Sequence, residues 1–263
     1  RFIIFLTVFL LMLGLEGWIP RHPTVDSKRR RLGINLTLTG IDILVAKLLL
    51  GAAAMGAAGF AQEKGWGLLN GWTGPQWLEL IIAVVVLDFM IYLQHVVVHK
   101  VPMLWRFHVV HHSDLDLDVS SGLRFHPVEI LISMLYKMGI VLVLGPSLFA
   151  VLVFEAILNG MAQFSHSNIK LPLPLDHALR WVIVTPDMHR IHHSVVVNET
   201  NSNYGFNLSV WDRWLGTYLQ DAGKPQPEIL IGIDTFQNRE DVSLIKLLGI
   251  PFGKTPEAYT DAP

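Results

Sequence analysis

Long apolar runs separated by short polar stretches dominate the chain. Phe2 to Leu15 is almost uninterrupted, and the run ends in Trp18-Ile19-Pro20 with no small-residue cleavage site, which predicts a retained first membrane helix over roughly 1–19 and not a cleaved leader. Residues 34–60 form the next stretch, broken only by Asp42 and Lys47, with Gly51, Ala52, Gly56 and Gly59 supplying the small surfaces that close helix packing uses. Leu78 to His99 predicts a third helix, long enough at ~1.5 Å per residue to cross a hydrocarbon core of ~30 Å. Val128–Leu144 and Ser147–Phe164 predict two more, joined by a Gly145-Pro146 turn, as a full crossing pair or a re-entrant hairpin. The expected fold is therefore all-α: an integral membrane helical bundle of about three to five membrane helices, with a cytoplasmic helical cap. Pro172, Pro174, Gly223, Pro225 and Pro227 mark loops in the cap, and the last ten residues read as a frayed tail.

Composition narrows the chemistry. Charged residues make up 16% and hydrophobic residues 51% of the 263 positions, too apolar for an ordinary soluble domain. A formal net charge of -2 excludes general attraction to nucleic acid. The absence of cysteine removes disulfides, thiolate nucleophiles and cysteine-ligated metals, so any metal chemistry must use His, Asp and Glu. The Lys28-Arg29-Arg30-Arg31 cluster, set against the lone Lys64 of the 61–77 loop, predicts a cytoplasmic 20–33 segment. Counting crossings from it puts His95, His99 and His166 on the cytoplasmic face. The lack of cysteine and the small size favour a bacterial cytoplasmic membrane over the endoplasmic reticulum.

Histidine placement is the most informative feature. Eleven of the twelve lie between positions 95 and 193, eight of them in His95-Val-Val-Val-His99, His108-Val-Val-His111-His112 and His189-Arg-Ile-His192-His193. On a helix, positions i, i+3 and i+4 share a face, so each cluster aims its imidazoles one way, as chelation requires. One ion takes four to six ligands, so eight or more converging imidazoles predict two metals. Neither the Glu-x-x-His pairs of carboxylate-bridged di-iron bundles nor His-Glu-x-x-His of zinc metalloproteases occurs. Asp88, Tyr92, His95 and His99 fall on one helical stripe, which makes Asp88 and Tyr92 candidates to orient ligands; a structural alternative pairs Asp88 with Lys47 or another helix. Glu155, Asn159 and His166 share another face, with His166 as a ninth ligand. His126 fits equally a tenth ligand and the N-cap before Pro127, with Glu129 at the capping-box position. His22 and His177 lack chelating neighbours and read as surface residues.

Taken together, these motifs resemble the fatty acid hydroxylase/sterol desaturase superfamily of membrane non-haem di-iron oxygenases. The likeness runs over Asp88 to Thr217. It includes Trp105, Ser113, Arg124-Phe-His-Pro-Val-Glu129, Phe164-Ser-His-Ser-Asn168, Thr185-Pro-Asp187-Met-His189, Asn203-Tyr-Gly205, Trp211-Asp212 and Leu215-Gly-Thr217. The resemblance implies that His95, His99, His108, His111, His112, His189, His192 and His193 ligate two irons, completed by His166 and His126, with Asp187 added to the supporting candidates. It implies O2 as co-substrate and hydroxylation or desaturation of the alkyl chain of a membrane lipid or sterol. Electrons would come from a separate donor: a reductase, a ferredoxin, a haem protein or a reduced pterin. On this reading 1–77 holds N-terminal membrane helices and a loop, 78–220 the catalytic domain, and 221–263 a cytoplasmic tail. The alternatives are oxidative cleavage of ether lipids of the alkylglycerol type, a zinc hydrolase, or a non-enzymatic metal-binding membrane protein. No sequence feature sets an oligomeric state.

Overall fold

The computed structural model describes residues 2–253; the tail read as frayed lies outside them. The fold is all-α, with isolated bridges and no strand among the described residues. In chain order the helices are α1 (Phe2–Trp18), α2 (Lys28–Leu50), α3 (Ala53–Lys64), α4 (Gln76–Lys100), α5 (Pro102–His112), α6 (Pro127–Leu144) and α7 (Leu148–His166). Shorter ones follow: α8 (Leu173–Leu179), α9 (Pro186–His192), α10 (Val197–Thr200), α11 (Val210–Leu215) and α12 (Leu244–Gly249). The α2–α3 unit, α4, α6 and α7 are long and apolar enough to cross a membrane; α1 is apolar but shorter.

Where the hydropathy pattern gives one segment over 34–60, the backbone gives two helices. Gly51 closes α2 at φ 57° and Ala53 follows at φ 47°, so the axis breaks while the side chains stay apolar. α2 also begins earlier than the apolar stretch, at Lys28. Its buried stripe of Arg31, Asn35, Leu38, Asp42 and Ala46 recurs at helical spacing, while Ile43, Leu44, Leu48 and Leu49 face outward, as a helix between protein and lipid requires. α3 packs on α6, α1 and α4 on α7, and α5 on α4.

The two ends of the bundle are held differently. At the far end, Gly145 ends α6 in the left-handed region at φ 61° and Gly67 sits against it; a Cβ on Gly67 would lie 2.3 Å from the Gly145 nitrogen. Glu79 ties α4 to the same turn by accepting from the Ser147 amide at 2.9 Å. At the near end, the 113–121 segment is buried and charged. The Arg31 guanidinium donates to Asp114 and Asp118 at 2.7 Å each, while Arg124 donates to Asn35 and to the Val110 carbonyl at 3.0 Å each. Burial alone would raise the Asp114 carboxyl, but Arg31 and Arg124 hold it well below the usual carboxylate range. Part of the basic cluster is therefore internal cement. The segment read as a tail also joins the core: Ile233, Val242, Leu247 and Ile250 pack with Leu38, Trp105, Val109 and Val110.

Candidate metal centre

Four helices and one helix end deliver the histidines to the near end. α4 carries His95 and His99 on its last turns. α5 is started by Pro102, whose missing N–H suits the first helical position, and carries His108, His111 and His112. α7 ends on His166. Thr185 caps α9 by accepting from the Met188 amide, and Pro186 opens the helix, so His189 and His192 project from its single pair of turns with His193 at its end.

The rings meet in two groups. His95, His99, His108, His112 and His192 form one, and His111, His166, His189 and His193 the other; within each, the candidate ligand atoms lie within 4.8 Å of one another. All nine side chains are buried. The groups abut, with the His112 and His193 rings stacked at 4.4 Å.

Hydrogen bonds set the tautomers. Nδ1–H donates to the Tyr204 carbonyl from His95 at 2.7 Å, to the Ser202 carbonyl from His192 at 2.8 Å, to the Arg124 carbonyl from His111 at 3.2 Å and to the Ala162 carbonyl from His166 at 2.7 Å. His108 Nδ1 donates to the Glu129 carboxylate at 2.5 Å. Because a carbonyl only accepts, the Nε2 lone pairs of those rings face the centre. There Nε2 of His166 lies 3.1 Å from that of His111 and 3.0 Å from that of His189, and the Nε2 atoms of His192 and His95 are 3.2 Å apart. Neither ring nitrogen of His99 or His112 has a hydrogen-bond partner, nor does His108 Nε2.

Burial, reinforced by neighbouring imidazoles, holds His111, His112, His189 and His193 well below the ordinary histidine range, and burial pushes His192 down to about 3. That depression favours the neutral form of these five rings. Converging lone pairs repel, and buried nitrogens without partners are expensive, so this donor set is stable with cations between the rings. An all-imidazole set suits Fe, Zn, Cu or Ni. Nine buried imidazoles in two groups fit two metal ions.

The remaining sequence candidates lie outside the two groups. His126 is engaged at both nitrogens: Nδ1 accepts from the Val128 amide at 3.2 Å and Nε2 donates to the Leu248 carbonyl at 3.4 Å, so it caps α6. Asp88 accepts from the Asn207 and Leu208 amides and from Trp211 Nε1 at 2.8 Å. Tyr92 hydrogen-bonds Thr217, whose hydroxyl donates to Asp212, and Asp212 in turn accepts from the amide of Tyr204, the residue whose carbonyl contacts His95. Asp187 is clamped by Arg21 and Arg190. Glu155 pairs with Lys137 at 3.0 Å, and the Asn159 amide donates to the Glu155 carbonyl at 2.6 Å. Glu129, read in sequence as a capping carboxylate, instead holds His108; its i+3 position after His126 masked a second role.

An apolar cavity of about 330 Å³ reaches His95 and His108, and a second of about 820 Å³ opens between α1 and α2. They share Gly122, Phe125, Ile130, Met134, Glu155 and Asn159 as walls, and Phe125 stacks on His111 at 4.4 Å.

A profile of fatty acid hydroxylases matches residues 80–217, just over half of the chain and all nine of these histidines. The chain belongs to the fatty acid hydroxylase family. Among curated relatives, it is 34% identical over 145 residues to the ornithine lipid hydroxylase OlsE of Rhizobium tropici, covering 55% of this chain and 43% of that protein. It is 29% identical over 168 residues to the alkylglycerol monooxygenase of Homo sapiens, covering 63% of this chain and 36% of that one. A very-long-chain aldehyde decarbonylase of Oryza sativa subsp. japonica is 24% identical over 271 residues, 95% of this chain and 41% of the relative. The alignments with these family members thus span less than half of each relative's length. No solved structure matches.

Proposed function

We propose that this chain is a membrane di-iron oxygenase that hydroxylates or desaturates the alkyl or acyl chain of a lipid. The observation that carries the reading is the placement of two abutting, fully buried imidazole groups at the end of an apolar cavity between helices long enough to cross a bilayer. His95, His99, His108, His112 and His192 would hold one iron, and His111, His166, His189 and His193 the other. When bound, the pair would supply the reduction of O2 and the oxidising strength to break an unactivated C–H bond, which no side chain provides.

The chain's own residues then position and exclude. Tyr204, Ser202, Arg124 and Ala162 carbonyls and the Glu129 carboxylate keep the Nδ1 protons in place, so five ligand lone pairs point inward before any ion arrives. Phe125 presents an apolar face between the cavities and His111. The cavity walls bind hydrocarbon and leave water little to hydrogen-bond, and the opening between α1 and α2 gives a membrane-dissolved chain lateral access.

Residues 78–220 are assigned as the catalytic unit, the near end as the cytoplasmic face of a bacterial membrane, and electron supply to a separate donor. The basic cluster and the histidines share that end through the Arg31–Asp114 pair, which supports a common side. A second reading, oxidative cleavage of an ether lipid, draws on the alkylglycerol monooxygenase relatives; oxidation at a carbon next to the ether oxygen would use the same ligands.

The test compares lipids of cells expressing the intact chain or its His111→Ala variant under labelled O2. A lipid that gains label, or loses two hydrogens, only with the intact chain supports the proposal. Identical lipids despite equal expression, with the intact chain loaded with iron and the host shown to contain acyl and ether lipids, would contradict it.

A further inference from the structure

The irregular segment between Tyr204 and Thr217 lies beside α4, and its depth can be read from the helix. Glu79 of α4 is level with the Gly145–Ser147 turn, and Trp66, Trp72 and Trp77 are exposed around that end, as an interfacial aromatic belt would be. Asp88 is the central residue of the 25-residue α4. At ~1.5 Å per residue it stands roughly 16 Å above Trp77, near the middle of a hydrocarbon core ~30 Å thick. Trp211 hydrogen-bonds Asp88, and Phe89 contacts the rings of Trp211 at 4.9 Å and Trp214 at 5.8 Å. The segment therefore descends to that depth.

Its outward surface is apolar. Trp214 is 70% exposed, Trp181 64%, Val182 56% and Leu215 46%. The Ser209 amide donates to the Val182 carbonyl at 3.1 Å, which joins the two exposed stretches into one surface. The charge among them is covered: the Arg213 guanidinium lies 4.2 Å from the Trp181 ring and 3.7 Å from that of Tyr218.

The backbone meets the other requirement of such a position. Non-helical chain at membrane depth survives only where its polar groups are satisfied within the protein. Asp88 accepts from the Asn207 and Leu208 amides, and Asp212 accepts from those of Tyr204 and Gly205 at 2.8 Å each. The Thr217 and Tyr218 amides donate to the Asp212 carbonyl. Two buried carboxylates thus do for this segment what water would do for a surface loop, which gives Asp88 its purpose at a costly depth.

We propose that residues 206–215, with Trp181 and Val182, form a re-entrant lip immersed in the lipid bilayer, and that its exposed face contacts acyl chains. The lip also lines the site. Phe206 borders the cavity that reaches His95, and the Tyr204 carbonyl just before it fixes the His95 tautomer. Lipid contact and ligand orientation are thereby carried by one stretch of chain.

The protein has no cysteine, so single nitroxide labels can be placed without background. Leu215→Cys and, independently, Val182→Cys would be labelled in phosphatidylcholine vesicles, with Leu48→Cys on the outward face of α2 as the lipid standard and Ile245→Cys on α12 as the water standard. The expected result is a ratio of collision with O2 to collision with a water-soluble nickel chelate that matches Leu48 and stands several-fold above Ile245. A ratio matching Ile245 at both lip positions would overturn the proposal. Low collision with both reagents would also overturn it, by showing a protein partner on that face. Water-like behaviour at Leu48 would remove the spanning arrangement on which the depth argument rests.

Discussion

Two buried polar systems lie side by side at the near end of the bundle, and they are built on opposite terms. Around Arg31, the guanidinium, Asp114, Asp118, Asn35, Ser120, Ser121 and Arg124 satisfy one another through hydrogen bonds of 2.6–3.2 Å. In the histidine centre, His99 and His112 leave both ring nitrogens without partners, and neighbouring rings turn lone pairs toward each other. The difference separates shape from chemistry. A satisfied network is finished by folding and holds the 113–124 segment against α2, whereas the histidine centre has the donor set that bound cations would complete.

The largest effect should come from the unfinished system. His111→Ala or His192→Ala is expected to abolish lipid oxidation and lower bound metal while the protein still inserts, checked by metal analysis and product formation on membranes. Full activity in either variant would remove that residue from the ligand set. Next, Arg31→Met should leave Asp114 and Asp118 buried without their cation and cost about 3–5 kcal/mol. It should show as a lowered thermal midpoint in detergent, with metal lost only as the fold is lost; an unchanged midpoint would show that the network does not hold the fold.

Glu129→Gln acts on the histidine centre, through His108. It keeps the shape of the side chain and removes the charge facing His108 Nδ1, so metal affinity should fall by roughly 10–100-fold without unfolding, as measured by competition with a chelator. Unaltered affinity would return Glu129 to helix capping. The smallest change is Gly122→Ala. The added Cβ would lie 2.9 Å from the Ala162 carbonyl and 3.2 Å from the His166 ring, an overpacking expected to cost about 1–3 kcal/mol. A denaturation midpoint equal to that of the unmodified protein would show that the wall yields.

Much of this was legible in sequence because it rests on period and length. The stretches 78–99, 128–144 and 147–164 fall within a few residues of α4, α6 and α7; chelating spacing on helices marked eight histidines and the face shared with Glu155 and Asn159 marked His166, and the fold brings all nine together. Three features were hidden for physical reasons. Hydropathy does not register the left-handed backbone at Gly51 and Ala53, so α2 and α3 merged into one segment. Asp114-Leu-Asp116-Leu-Asp118 gains meaning only once Arg31, far away in the chain, is folded against it. The groups that orient His95 and His192 are main-chain carbonyls, which carry no residue signature at all. Ambiguity at His126 had a similar source: capping and ligation ask for the same residue at the same helix start, and only its contacts to Val128 and Leu248 distinguish them.

On the proposed function, nine imidazoles hold two irons in two separate groups. The most direct measurement is iron per chain in protein expressed with abundant iron, comparing the unmodified chain with a His99→Ala/His112→Ala variant that strips one group and spares the other. Two irons falling to about one are expected, with the remainder lost when His166 and His189 are also replaced. Zinc alone in the unmodified protein, or two irons retained without His99 and His112, would contradict it.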